Sequence, residues 1–253
     1  ALGQAADIAP FTGAAAAGAM DAAITLTPRG GKTDAAMTLE GTGLTLDALA
    51  ARTVSLTGAV NDLLGKPAVN LDLSARGLSV QGFRGDARAT LEGPTTALAL
   101  TAHADMTDTS GAPLKADTRA LLDLARQRLT LTSLAADWRG VPLSLQAPAT
   151  ISYANGLAVD RLEAKLGKGM VTAGGSLLPK LSATAAARNL ALEDFRALMP
   201  ELGMRGTLSG SAELSGTLAA PDGNVTLEGR NLRAAFSSRA MPAAELDARL
   251  KLA

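Results

Sequence analysis

The chain has 253 residues, with 24 acidic and 24 basic side chains, no cysteine and only 2% aromatic residues. Zero net charge removes the basic footprint that nucleic-acid binding needs, few aromatics leave no base-stacking platform, and the missing thiols exclude disulfides and thiolate metal sites. A hydrophobic content of 47% excludes an intrinsically disordered chain.

Near the start, Gly13 to Met20 is rich in alanine. It is far shorter than the ~18 apolar residues of a membrane helix, and the residues before it do not read as a signal peptide. From about residue 20 onward, apolar and polar residues alternate with a period of two, which puts an oily face and a polar face on each strand. Leu46 to Ala51 (L-D-A-L-A-A) breaks the alternation with helical spacing. Next, Val69, Leu71, Leu73 and Ala75 oppose Asn70, Asp72, Ser74 and Arg76. Leu98, Leu100, Ala102, Ala104 and Met106 then oppose Ala99, Thr101, His103 and Asp105. Ala120, Leu122 and Leu124 close one strand, Ala125 to Arg128 turns, and Leu129 and Leu131 begin the next.

Leu143 and Leu145 flank Ser144 in a further strand. Leu192 to Met199 (L-E-D-F-R-A-L-M) has helical spacing and is ended by Pro200. Leu208, Ala212, Leu214 and Leu218 oppose Thr207, Ser211, Glu213 and Thr217, and Val225 and Leu227 follow in the next strand. In the last segment, Leu246, Ala248, Leu250 and Leu252 oppose Glu245, Asp247, Arg249 and Lys251. The turn signals delimit roughly 16 strands. They include Pro28-Arg29-Gly30-Gly31, Gly65-Lys66-Pro67, Gly111-Ala112-Pro113, Gly174-Gly175 and Pro221-Asp222-Gly223.

A loose repeat runs through these strands: Thr42-Gly43-Leu44, Arg76-Gly77-Leu78, Asn155-Gly156-Leu157, Arg188-Asn189-Leu190 and Arg230-Asn231-Leu232. Gly and Asn tolerate positive φ, so each copy marks a bulge or a strand end. The apolar positions are mostly Ala and Leu, too small to interlock across a deep interior. The pattern therefore predicts an all-β fold: one long antiparallel sheet with one apolar surface, leaving a void that its own side chains do not fill, with one or two short helices. The expected organisation is a single elongated β-groove over residues 1–253, cut from a longer protein. Val69, Leu71, Leu73, Leu98, Leu100, Leu122, Leu129, Leu131, Leu143, Leu145, Leu208, Leu214, Val225, Leu227, Leu246 and Leu250 are its expected lining. Asp72, Thr101, Ser144, Glu213, Asp247 and Arg249 are expected to be exposed.

From Ala136 to Ala234 the chain resembles the periplasmic region of the TamB and AsmA-like family of repeating β-groove proteins. Asp137-Trp138-Arg139-Gly140-Val141-Pro142-Leu143 is similar to that family's Trp-x-Gly-x-Pro-Leu approach to a strand. Asn189 through Phe195 to Met199-Pro200 is similar to its short helical crossing, and Gly206 to Leu218 followed by Pro221 to its Gly-x-Leu-x-Gly strand and turn. The resemblance implies an elongated, curved, taco-like sheet whose hydrophobic groove carries phospholipid across the periplasm between the inner and outer membranes. It also implies a parent chain anchored in the inner membrane and partnered by a TamA-like outer-membrane barrel.

Enzyme chemistry has little footing. His103, the only histidine, lies on a polar parity near Asp105, Asp108 and Ser110, without a Gly-x-Ser-x-Gly turn to present a nucleophile. It reads as a solvated surface histidine. Arg84-Gly85-Asp86 matches an adhesion tripeptide by chance composition. Neither a cofactor nor a metal is expected, and the chain reads as non-catalytic. Two functions fit the alternation: a lipid conduit with an open apolar face, or a structural or adhesive β-solenoid with a filled core.

Overall fold

A computed structural model of the protein describes residues 16–198, 204–234 and 243–252. These form sixteen strands and one short helix, and every strand pairing is antiparallel. None of their helices is long and apolar enough to cross a membrane. The chain divides into two compact units, Ala1–Ala125 and Arg126–Ala253.

The first unit holds β1 (Ala16–Arg29), β2 (Lys32–Leu46), β3 (Leu49–Asn61), β4 (Ala68–Val80), β5 (Phe83–Pro94), β6 (Leu98–Thr107) and β7 (Pro113–Asp123). Each strand pairs with its neighbour in sequence. The second unit holds β8 (Arg128–Trp138), β9 (Val141–Ala147), β10 (Ala149–Ser152), β11 (Ala158–Leu166), β12 (Gly169–Ser176) and β13 (Leu181–Ala191), then α1 (Leu192–Leu198), β14 (Met204–Gly216), β15 (Pro221–Ala234) and β16 (Ala244–Leu252). Here β9 and β10 share one place, both pairing with β8 and β11. Pro148, which has no N–H for the ladder, separates them.

Register converts the alternation into faces, because residues opposite one another in an antiparallel pair point the same way. In the first unit one row runs Ile24, Met37, Gly58, Leu71, Leu91, Leu100, Ala120 across all seven strands. The adjacent row is Ala23, Thr38, Thr57, Asp72, Thr90, Thr101, Arg119, on the opposite face. In the second unit, Leu145, Ala164, Val171, Ala187, Gly210, Leu227 and Ala248 form an apolar row. Thr184, Glu213, Asn224 and Lys251 form a polar one.

The repeat keeps these faces consistent. Gly43, Gly77, Asn189 and Asn231 have φ of 60°, 59°, 52° and 53°, and each lies at a shift of register. One extra residue inverts the parity of a strand. On β4 the apolar side chains are Leu71, Leu73 and Ala75 before the bulge and Leu78 and Val80 after it. The fifth copy, Asn155-Gly156-Leu157, lies in the turn after β10, with Gly156 at φ 112°.

Three local expectations are corrected. Leu46 to Ala51 is not helical: Asp47 and Ala48 form a tight turn, and Leu46 faces Leu49 across the hairpin. A two-residue hairpin turn brings residues i and i+3 together, so it imitates helical spacing. Gly174-Gly175 lies inside β12 rather than at a turn. It sits beside a bulge in β11, where a Cβ on Gly174 would come within 2.6 Å of the Asp160 carbonyl oxygen. Pro221-Asp222-Gly223 opens β15. The second expected helix is present as Leu192–Leu198, with Glu193 and Asp194 in its first turn, as suits its positive N-terminal dipole. Met199 and Pro200 lie outside the described residues.

Among the described residues eleven apolar ones are buried, six of them alanine, and the largest fully buried side chain is Leu98 at 1% exposure. All described strands belong to the pairing ladders, and α1 packs at the β13–β14 crossing. No separate layer of secondary structure is left among the described residues to lie over the apolar faces. A sheet with one oily face ordinarily buries it against a second layer.

Candidate functional site: an accessible apolar face

All sixteen lining residues named from the sequence fall on the apolar face of their own unit. Val69 faces Val60 and Gly93, Leu73 faces Leu56 and Ala89, and Leu98 faces Leu122. Leu71 and Leu100 belong to the row described above. In the second unit Leu129 faces Ile151, Leu131 faces Ala149, Leu143 faces Leu166 and Leu145 faces Ala164. Leu208 faces Leu190, Leu214 faces Ala183, and Val225 faces both Ala212 and Leu250. Leu227 and Leu246 face Ala248 and Gly229.

Sharing a face does not mean being covered. Leu73 is 40% exposed, Leu246 44% and Leu250 52%, whereas Leu98 is sealed. The face is thus an accessible surface of Leu, Val and Ala rather than an interior. Each unit carries a shallow open hollow on it. In the first unit it measures about 190 Å³ and is lined by Leu73, Ala75, Ala87, Ala102, Ala104 and Ala116. In the second it measures about 220 Å³, between Val171, Ala185, Ala187, Gly210, Ala212 and Leu227. Both are smaller than the ~300 Å³ at which small-molecule sites begin. Their alanines and glycines leave depth that larger side chains would fill.

Of the residues expected to be exposed, Asp72, Thr101, Glu213, Asp247 and Arg249 are. Ser144 is the exception. It lies on the polar face, opposite Ala135 and Lys165, but is half-buried, and Gln146 Nε2 donates to its Oγ at 2.9 Å.

The polar faces carry charged, hydroxyl and amide side chains. A hollow of about 680 Å³ opens near Gly174, lined by Asp160, Arg161, Glu163, Thr172, Thr184 and Arg188 among others, with no histidine. Arg161 is ion-paired with Glu163. Exposed His103 has Nδ1 2.9 Å from Asp117 Oδ1 across the β6–β7 ladder. No group of three His, Asp or Glu among the described residues could hold a metal ion. Arg84-Gly85-Asp86 lies within β5, where Asp86 accepts the Gly77 amide. Trp138 closes β8 at a two-residue turn whose central residues, Arg139 and Gly140, have φ of 55° and 77°. That is the type I′ hairpin, which matches the twist of its strands. The Arg139 guanidinium lies 5.6 Å from the Trp138 ring centroid.

Two features escape a reading by alternation alone. The first is the side-chain support of the bulges: Gly77 N–H donates to Asp86 Oδ1 and Asn189 N–H to Ser209 Oγ. The second is the β3–β4 loop, Asp62 to Pro67. The Asp62 carboxylate accepts the Lys66 amide and meets the Lys32 ammonium, and these two groups, in that order of effect, hold its pKa below the usual carboxylate value. Gly65-Lys66-Pro67 marks the turn in the sequence, and Leu63-Leu64 places two adjacent leucines where strands would alternate, but neither signals the bracing by Asp62.

Comparison with protein families, with curated proteins and with solved structures returns no match for this chain.

Proposed function

We propose that this chain is a non-catalytic length of lipid conduit, shielding phospholipid acyl chains in the periplasm between inner and outer membranes and so supporting outer-membrane biogenesis. One observation carries the reading: in each unit the register assembles an apolar face that crosses strand after strand and remains accessible. Removing a CH₂ from water is worth ~0.8 kcal/mol, so a sixteen-carbon acyl chain gains about 12 kcal/mol by leaving water. A surface of Leu, Val and Ala is about as apolar as bilayer interior, so moving the chain from membrane to protein is close to neutral. Few polar groups interrupt the face, which favours sliding over tight storage. The filled-core solenoid has less support, since solenoid rungs stack around an interior and here the buried apolar residues among those described number eleven, six of them alanine. Contact with a TamA-like barrel and anchoring in the inner membrane remain part of this proposal through the resemblance in the sequence alone.

The test is photocrosslinking to phospholipid, and transfer between vesicles, with matched substitutions on the two faces. Leu145→Arg and Leu214→Asp place a charge on the apolar face, where an acyl chain would meet an unpaired ion at a cost of several kcal/mol. Glu213→Lys, on the polar face, is the control. Loss of crosslinking in the first pair alone, at matched folding, is the expected result. Equal effects on both faces would show that lipid does not travel there, and loss of folding in the first pair alone would favour the filled core.

A further inference from the structure

We infer that the β3–β4 loop of the first unit, together with the β1–β2 turn beside it, is a contact for an anionic membrane surface. This goes beyond the conduit reading and stands without it.

Leu64 is 83% exposed, the most exposed large apolar side chain among the described residues, and Leu63 next to it is 39% exposed. They are not on a slack segment. Leu63 N–H donates to the Thr33 carbonyl at 2.7 Å, and Gly65 N–H to the Asp62 carbonyl at 3.0 Å. Asp62 N–H donates to Asp34 Oδ1 at 2.9 Å, and the Asp62 carboxylate meets the Lys32 ammonium at 3.2 Å. The loop is therefore built to hold two leucines out in water. A lone exposed leucine needs no explanation, but a braced pair presented at a tip does.

The surrounding charge states what such a tip would meet. Arg29, Lys32 and Lys66 are all exposed, and the Leu63–Thr33 bond lays the loop against the turn that carries the first two. The turns at the other end of these strands are Asp47-Ala48, Gln81-Gly82 and Asp108 to Ala112, which contain acidic residues but no lysine or arginine. One end of the unit thus offers leucines beside Arg29, Lys32 and Lys66, of which Lys32 is ion-paired with Asp62, and the other offers carboxylates with no lysine or arginine in its turns. Apolar side chains reaching below the headgroups, with ammonium and guanidinium groups left among the phosphates, are the chemistry of an anionic bilayer interface.

The experiment is flotation of the chain with phosphatidylcholine vesicles, with and without phosphatidylglycerol, at low and high salt. Binding should require phosphatidylglycerol and weaken with salt. The double variant Leu63→Ser/Leu64→Ser should lose about tenfold or more in affinity. Arg29→Glu/Lys66→Glu should lose about twenty-five-fold or more, from roughly fivefold per neutralised cation. Circular dichroism checks that both retain strand structure. Absence of binding to anionic vesicles, equal binding to pure phosphatidylcholine, or loop variants that bind as the parent does would each overturn the inference. Loss of binding in Leu73→Arg with none in the loop variants would move the contact to the apolar face and also overturn it. Lipid crosslinking of the freely soluble loop variants reports separately on the conduit, so the two ideas can fail independently.

Discussion

The amide of Gly77 donates to the carboxylate of Asp86 at 2.9 Å, from the extra residue of one strand to a side chain on the next. A bulge leaves its additional residue out of the ladder, and an unpaired backbone donor is costly where water is scarce. Asn189 repeats the arrangement with Ser209 as acceptor at 3.0 Å. Two copies of the Gly-or-Asn repeat therefore have a partner one strand away that lies outside the repeated triplet.

Gly77→Val should destabilise the chain by more than about 2 kcal/mol, from a β-branched residue at φ 59° and a Cβ 2.9 Å from that of Arg52. Gly77→Asn should cost less than half as much, since Asn occupies the same position at 189 and 231. Asp86→Ala should cost about 1 kcal/mol through the lost acceptor. Urea unfolding of the three variants checks the order, and Gly77→Val as stable as Gly77→Asn would refute it.

Burial differs sharply among leucines of the same face. Leu98→Ala removes a sealed side chain opposite Leu122 and should cost about 2–4 kcal/mol. Leu250→Ala removes one that is 52% exposed and should cost less than about 1 kcal/mol. Similar shifts in denaturation midpoint for both would mean that Leu250 is covered in solution.

Acid should loosen the β3–β4 loop. The Asp62 pKa is lowered in the folded chain, so its contribution is complete above the ordinary value of 3.8 and is lost as pH falls through the lower folded value. Hydrogen exchange at the Lys66 amide, which donates to that carboxylate, should therefore accelerate below about pH 4 relative to ladder amides after correction for intrinsic rates. Protection that is independent of pH across this range, or equally lost in Asp62→Asn at neutral pH and in the parent, would contradict the assignment.

The pair of His103 and Asp117 is exposed on both sides, at 51% and 71%. His103→Ala should change stability by less than about 0.5 kcal/mol, because side-chain entropy and screening offset most of the attraction in such pairs. It should leave lipid crosslinking unchanged. A specific loss of crosslinking in normally folded His103→Ala would reopen a chemical role for this residue.

Much of this architecture was legible because a period of two has one structural meaning and leucine, valine and aspartate mark its phases clearly. Leu71, Leu100 and Leu227 could be assigned to a face from spacing alone. The misreadings arose where spacing is ambiguous. Leu46 and Leu49 are three apart in a helix turn and across a tight hairpin alike. Gly174-Gly175 has the composition of a turn, but it answers to the close approach of Asp160, which only the pairing reveals. Ser144 is on the polar face as its parity requires, yet Gln146 folds over it. The exposure of Leu73 and Leu250 is not a property of their own strands at all, since it depends on whether anything lies above them.

Nearest-neighbour pairing has a further consequence for how this chain holds together. Within the first unit each strand's ladder partners are its sequence neighbours, so nearly all ordering is local and loop closure is short. Cohesion is then a sum over adjoining hairpins rather than the property of one shared interior, as in repeat proteins. Such a unit can gain or lose a hairpin while exposing little beyond the faces of the adjoining strand, because few of its described apolar residues are buried. Its length is a free variable of the architecture, set by how many hairpins are strung together rather than by how much volume must be filled.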